Sequence, residues 1–262
     1  MANWADLGPR MISAAAMSVV GAVAIVLGNP FFLALVLVAV GAMVWEVLTI
    51  CQHEPAKTEI VLPAVFSAVL FICVYPQGPI GFSIFSVIAS ALLAFACSNG
   101  LKKERVIGGV LLFAIFWVGF GLAEFRTGWG FPFILWLFLV VIASDVMGYF
   151  AGRTFGGPKF WPSISPKKTW SGTVAGWVGA ALVGVGFVIW HGSPTFLIPI
   201  SVLTAFAGQM GDIAESALKR RTGVKDSSNL IPGHGGVLDR FDAVSGAVLF
   251  LLVVSLFIPV TV

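Results

Sequence analysis

Charge is scarce in this sequence. Lys, Arg, Asp and Glu make up 10% of its 262 residues, against about 25% in soluble globular domains. That shortage rules out an ordinary water-facing surface over most of the chain. Cysteine is scarcer still. Cys51, Cys73 and Cys97 are the three in the chain, an odd number with no Cys-x-x-Cys or Cys/His cluster. No zinc site is suggested, and the cysteines are expected to be small buried hydrophobes. The phosphate-binding motif G-x-x-x-x-G-K-[ST] is absent, and so is a G-x-G-x-x-G following a strand. Any nucleotide site is therefore neither a P-loop nor a Rossmann crevice. No strand-like alternation, internal repeat or lipidation tail is evident. The first apolar run, 11–27, follows Arg10 but is not followed by a small-x-small cleavage site, so a retained span is expected.

What replaces the charge is apolar. Hydrophobic residues make up 58% of the chain and the mean hydropathy is +1.00. A membrane helix needs roughly 20 mostly apolar residues to cross about 30 Å of hydrocarbon. Nine segments qualify: 11–28, 31–50, 58–75, 79–98, 106–125, 129–151, 170–191, 194–217 and 242–261. Minimal connections such as Gly28-Asn29-Pro30 and His191-Gly192-Ser193-Pro194 mark turns between antiparallel neighbours. Backbone groups in lipid must be satisfied internally. The expected fold is therefore all-α, a polytopic integral membrane helical bundle of about nine transmembrane helices. It divides into N-terminal helices over 1–128 and a C-terminal region over 129–262, which carries two polar connections, 152–169 and 218–241.

The few charges are unevenly distributed. With nine spans, every Lys and Arg except Arg126 falls on one side of the membrane, 14 of 15. The positive-inside rule puts that side, and the N-terminus, in the cytoplasm. A bacterial inner (cytoplasmic) membrane is the expected location. Four acids, Glu46, Asp145, Asp212 and Glu215, lie inside apolar segments. Such charges are expensive in lipid and are functional candidates by default. All four fall near cytoplasmic span ends; Glu46 is expected to be an end-of-helix acid reaching water.

The polar connections carry the chemistry. Residues 152–169 hold Arg153, Lys159, Lys167 and Lys168 and no acid. The second begins in "GDIAESALKR", where Asp212, Glu215, Ser216 and Lys219 share one helical face. Asp239 and Asp242 follow, three apart, at the head of the last span. Convergent carboxylates ringed by basic residues suit a metal-bound polyphosphate. Mg²⁺ takes one or two carboxylates and fills its shell with water and phosphate oxygens, while Lys and Arg neutralise the remaining charge. Gly233, Gly235 and Gly236 would let backbone N–H groups approach an anion, and His234 could donate to a phosphate oxygen. A solvated basic loop would account for the Lys and Arg but not for Asp212 within the membrane.

The stretch Ser216-x-Leu218-Lys219-Arg220, Lys225-Asp226, Ser228, Ile231-Pro232-x-His234-Gly235-Gly236-Val237-x-Asp239-Arg240-Phe241-Asp242 resembles the signature of phosphatidate cytidylyltransferases, the CDP-diacylglycerol synthases. The preceding Gly211-Asp212-x-x-Glu215 is similar too. A softer likeness runs through 144–157 and 165–172, while residues 1–125 match only as generic apolar spans. Two departures stand out. Val146-Met147-Gly148 stands where the family commonly has Thr/Ser-Gly-Ala after its Asp, and Ser171 stands where an acid is common.

The resemblance implies transfer of CMP from CTP to phosphatidic acid in the membrane, giving CDP-diacylglycerol and pyrophosphate at a cytoplasm-facing site. It implies Mg²⁺, with K⁺ as a second ion. Asp212, Asp239 and Asp242 are the expected metal ligands, and Ser216 and Lys219 complete the catalytic group. Lys167, Lys168, Arg220, Lys225, His234, Gly235, Gly236 and Arg240 are the expected substrate-binding residues. Asp145 stands open between a catalytic group and a buried polar support. Gly172-x-x-x-Gly176 permits close helix approach, within the chain or in a homodimer. No nucleic acid partner is expected. The competing readings are a CTP-dependent transferase for another lipid phosphate and a cation-coupled transporter. A transporter should spread its acids through the membrane depth, whereas these gather at one face.

Overall fold

The computed structural model describes residues 7–52, 61–74, 84–98 and 105–258. The expected basic positions Lys57, Lys102 and Lys103, and the outer parts of the third, fourth and ninth expected spans, lie outside them. Among the described residues the elements are α1 (Leu7–Leu27), α2 (Phe31–Gln52), α3 (Val61–Val74), α4 (Ile84–Ser98) and α5 (Arg105–Glu124). They continue with α6 (Gly130–Phe155), β1 (Lys159–Trp161), β2 (Ser165–Thr169), α7 (Trp170–His191), α8 (Leu197–Thr222) and α9 (Leu238–Ser255).

Among the described residues, four stretches are long and apolar enough to cross a membrane: Phe31–Cys51, Val106–Phe155, Trp170–His191 and Leu197–Thr222. Met11–Leu27 and Ile88–Ser98 are shorter apolar helices. The protein is an all-α polytopic membrane protein. The stretch Val106–Phe155 has 50 residues, which at about 1.5 Å per residue is more than twice the hydrocarbon thickness. It is interrupted by a π-helical turn at Phe125–Trp129 and by Gly130, whose φ of 83° is left-handed.

The chain divides into two compact units. The first comprises Met1–Gly128 and Thr222–Arg240, the second Trp129–Arg221 and Phe241–Val262. Residues 222–240 thus group with helices that end at 128.

In the first unit α2 is the hub, packing against α1, α3 and α5. Gly119 of α5 has no room for a Cβ because Leu70 of α3 and Val40 of α2 meet there. Phe66 and Phe116 stack edge to face at 5.8 Å in the same core. Arg126, the one basic residue expected on the far side, donates to Ile25 O at 3.3 Å. A cation at the carbonyl end of α1 complements its dipole. Cys51 and Cys97 are buried thiols, as expected; the side chain of Cys73 lies outside the description.

The second unit is built on glycine contacts. Gly172 and Gly176 of α7 face Gly148 O and Ser144 O of α6, so that motif is used within the chain. Gly184 of α7 meets Ser201 and Ile198 of α8. Trp136 of α6 is fully buried and donates to Ser201 Oγ at 2.9 Å. Trp117 of the first unit is buried as well, so these two tryptophans are core residues. The connection 156–169 forms an antiparallel hairpin of β1 and β2. Strands of three and five residues are too short to leave an alternation in the sequence.

Candidate active site

Helix α8 carries Gly208, Gln209, Gly211, Asp212, Glu215, Ser216 and Lys219. Its approach to α9 is set by missing side chains. A Cβ on Gly211 would strike Asp242 O and Gly246 N, one on Gly246 would strike Ala207 O, and one on Gly208 would lie 3.0 Å from Ala243 O. The two backbones touch, and that contact puts Asp242 of α9 beside the carboxylates of α8. Asp212, Glu215 and Asp242 each present an oxygen within 4.8 Å of the others'.

Two ammonium groups meet this cluster. Lys168 Nζ lies 2.5 Å from Asp212 Oδ2, and Lys219 Nζ lies 2.5 Å from Glu215 Oε2. Ser216 Oγ donates to Asp212 Oδ1 at 3.3 Å. Asp242 Oδ1 accepts from the N–H of Ala243 at 2.7 Å. Glu215 is buried, whereas Asp212 and Asp242 are partly exposed. Three crowded carboxylates repel one another, and cations offset that repulsion.

Beside the cluster lies a cavity of about 580 Å³, lined among others by Asp145, Arg153, Lys167, Lys168, Gln209 and Asp212. That volume is in the range of small-ligand sites, about 300–1,000 Å³. Its wall is pinned by Gln209, whose Nε2 donates to Ser144 Oγ and Thr173 O, each at 3.3 Å, while its Oε1 accepts from Trp177 Nε1 at 3.1 Å. Thr169 caps α7 by accepting from Gly172 N at 3.2 Å. Ser171 Oγ donates to Gly156 O at 2.5 Å, so the residue in place of an acid closes the hairpin connection. Lys167 and Lys168 belong to β2 and reach the cavity from it.

The signature loop belongs to the first unit. Asp239 Oδ2 accepts from Ser227 N and Gly236 N, both at 2.8 Å. The N–H of Gly236 is thus donated to a loop carboxylate. Arg240 donates to His234 O from Nε at 3.1 Å and from Nη2 at 2.7 Å. His234 Nδ1 lies 2.7 Å from Ser13 Oγ of α1, which also donates to Pro232 O at 2.9 Å. Gly233 and Gly235 have φ of 74° and 83°, left-handed values that other residues rarely adopt. Lys225 and Arg240 are exposed, as is Arg220 in the last turn of α8.

A sequence profile of the cytidylyltransferase family matches residues 9–258. The chain belongs to the cytidylyltransferase family. Among its relatives, the phosphatidate cytidylyltransferase of Staphylococcus haemolyticus is 35% identical over 194 residues, 70% of this chain and 75% of that protein. Those of Brucella abortus and Haemophilus influenzae are 44% identical over 124 residues and 42% identical over 128. These alignments cover 47% and 46% of this chain, and 46% and 44% of the two relatives.

This cytidylyltransferase thus gathers Asp212, Ser216, Lys219, Asp242, Lys167 and Lys168 in its second unit. Asp239, His234, Gly235, Gly236 and Arg240 hold the loop of the first. Glu215, which shares a helical face with Asp212 at i, i+3 but is not among the expected metal ligands, joins Asp212 and Asp242. Gln209, an uncharged residue in an apolar segment, lies three residues before Asp212 on the same face. Glu46 does not reach water. It is fully buried and accepts three hydrogen bonds from the signature loop.

Proposed function

We propose that this protein transfers CMP from CTP to phosphatidate at the second unit's cluster, giving CDP-diacylglycerol and pyrophosphate. The observation that carries the reading is the meeting of three carboxylates with a lysine-lined cavity in a member of this family. A phosphate oxygen of phosphatidate attacks the α-phosphorus of CTP. The bond to the β-phosphate oxygen breaks, and pyrophosphate carries away the electron pair. Lys167 and Lys168 supply positive charge where two anions must approach each other. Arg220 and, in the signature loop, Lys225, His234 and Arg240 are assigned to phosphate by resemblance, as are Gly235 and Gly236.

The donor set fits Mg²⁺, a hard ion served by carboxylate oxygens. Asp212, Glu215 and Asp242 would hold it, and when bound it supplies charge stabilisation to the phosphoryl oxygens and the leaving pyrophosphate. Asp239 is assigned to shaping the loop through Ser227 and Gly236, with a ligand role tested alongside. K⁺ remains a proposal from resemblance alone. The count of nine spans, the cytoplasmic N-terminus and site, the bacterial inner membrane and a homodimer are proposals as well.

The deciding assay supplies purified protein with labelled CTP, Mg²⁺ and a panel of lipid phosphates. Phosphatidate should yield a labelled liponucleotide and pyrophosphate, and a chelator should abolish the yield until Mg²⁺ is restored. Release of inorganic phosphate instead would mean hydrolysis rather than CMP transfer and would overturn the reading. A preference for a polyprenyl or ether-lipid phosphate would move the substrate but keep the chemistry.

A further inference from the structure

The signature loop is held by a residue about 190 positions away. Glu46 lies on α2 with no exposed surface. Its Oε1 accepts from Ser228 Oγ at 2.7 Å and from Val237 N at 2.8 Å, and its Oε2 accepts from Leu238 N at 2.7 Å. A Cβ on Gly236 would run into Glu46 Oε1 and Ser227 Oγ, so the loop backbone lies flush against the carboxylate. All three donors are neutral, and two are consecutive amides where α9 begins, the helix end that favours negative charge. A buried carboxylate is costly unless fully hydrogen-bonded. Here the bonds that satisfy it also fix the direction of the loop backbone.

The loop is already internally braced. Asp239 ties Ser227 to Gly236, Arg240 grips His234 O, and Ile231 bridges Gly235. A braced loop still needs an attachment to be placed, and Glu46 attaches both of its flanks, at Ser228 and at 237–238.

We propose that Glu46 is a positioning residue for the transfer reaction: it fixes the loop that presents His234, Asp239 and Arg240. The role rests on the function proposed above; the attachment does not. A glutamine at 46 keeps the shape but has one oxygen acceptor, and its NH₂ would oppose an amide donor. A one-carbon-shorter carboxylate keeps the acceptors.

The test uses the full chain in phosphatidylcholine–phosphatidylglycerol nanodiscs. Hydrogen exchange over 226–238 and turnover per folded molecule are measured for wild type, Glu46→Gln, Glu46→Asp and Ser228→Ala. Glu46→Gln should speed exchange at 237–238 at least tenfold and lower kcat at least tenfold. Glu46→Asp should recover part of both. Ser228→Ala removes one donor and should lower kcat about threefold; it decides the question if Glu46→Gln does not fold. Unchanged exchange in the loop would overturn the proposal, as would faster exchange with kcat within twofold of wild type. A wild type without CTP-dependent turnover would sink the reaction reading, and the positioning role with it, while exchange still passes or fails the attachment on its own.

Discussion

Asp212, Glu215 and Asp242 bring three acidic oxygens within 4.8 Å of one another, and two lysines are spent on them. Neutralising one acid while keeping its shape should remove one proposed metal donor without opening a hole. Asp212→Asn, Glu215→Gln and Asp242→Asn are each expected to cut turnover by about a hundredfold or more, the scale of losing a charge-stabilising group. Asp239→Asn, measured beside them, should act through the loop and therefore speed exchange at Ser227 and Gly236, which the other three should not. Lys167→Ala should be milder, raising the KM for CTP or phosphatidate, because Lys168 shares the cavity. All variants should elute from a sizing column like the parent; a folded Asp212→Asn with wild-type turnover would end the metal assignment. Much of this cluster was legible in the sequence, since acids inside apolar segments are conspicuous. Glu46 was equally conspicuous, but its purpose was not. Its partners lie in a loop near the other end of the chain, and a hydrogen bond between distant segments leaves no periodicity to read.

At the scale of elements, the three clustered carboxylates stand where they do because α8 and α9 touch backbone to backbone. Alanine has better helix propensity than glycine by about 1 kcal/mol, so Gly246→Ala would stabilise an isolated α9. In the protein the added methyl meets Ala207 O and Gly211 Cα. Gly246→Ala should therefore lower the thermal midpoint and reduce turnover at least tenfold, although it touches no charge. Gly21→Ala, with open space around the added carbon, should hold or raise the midpoint and leave turnover unchanged. Equal midpoints for the two variants would refute the contact. The sequence marked the apolar helices, because twenty oily residues have few other uses. It marked the Gly172/Gly176 contact as well, though not whether one chain or two made it. The α8–α9 contact and the 159–169 hairpin were hidden, the first because Gly208 and Gly211 resemble any membrane glycines, the second because its strands are so short.

For the molecule as a whole, orientation is the measurable question. Fourteen of fifteen basic residues on one face predict a cytoplasmic signature loop. Ser227 is buried, so the exposed Asn229 is the better probe position. In a chain lacking Cys51, Cys73 and Cys97, Asn229→Cys should react with an impermeant thiol reagent only in opened cells, and Thr127→Cys in intact ones. Labelling of position 229 from outside would reverse the topology.

The first unit is discontinuous: residues 222–240 group with helices that end at 128. Translation runs in one direction, at about 5–20 residues per second, so Glu46 leaves the ribosome about 10–40 s before Leu238 does. Within that unit the loop emerges last, toward a receptor already made. A chain begun at Trp129 would carry every carboxylate of the cluster and both cavity lysines, yet its signature loop would emerge with nothing to receive it. For this enzyme the helices that look most generic in sequence are the ones that have to be there first.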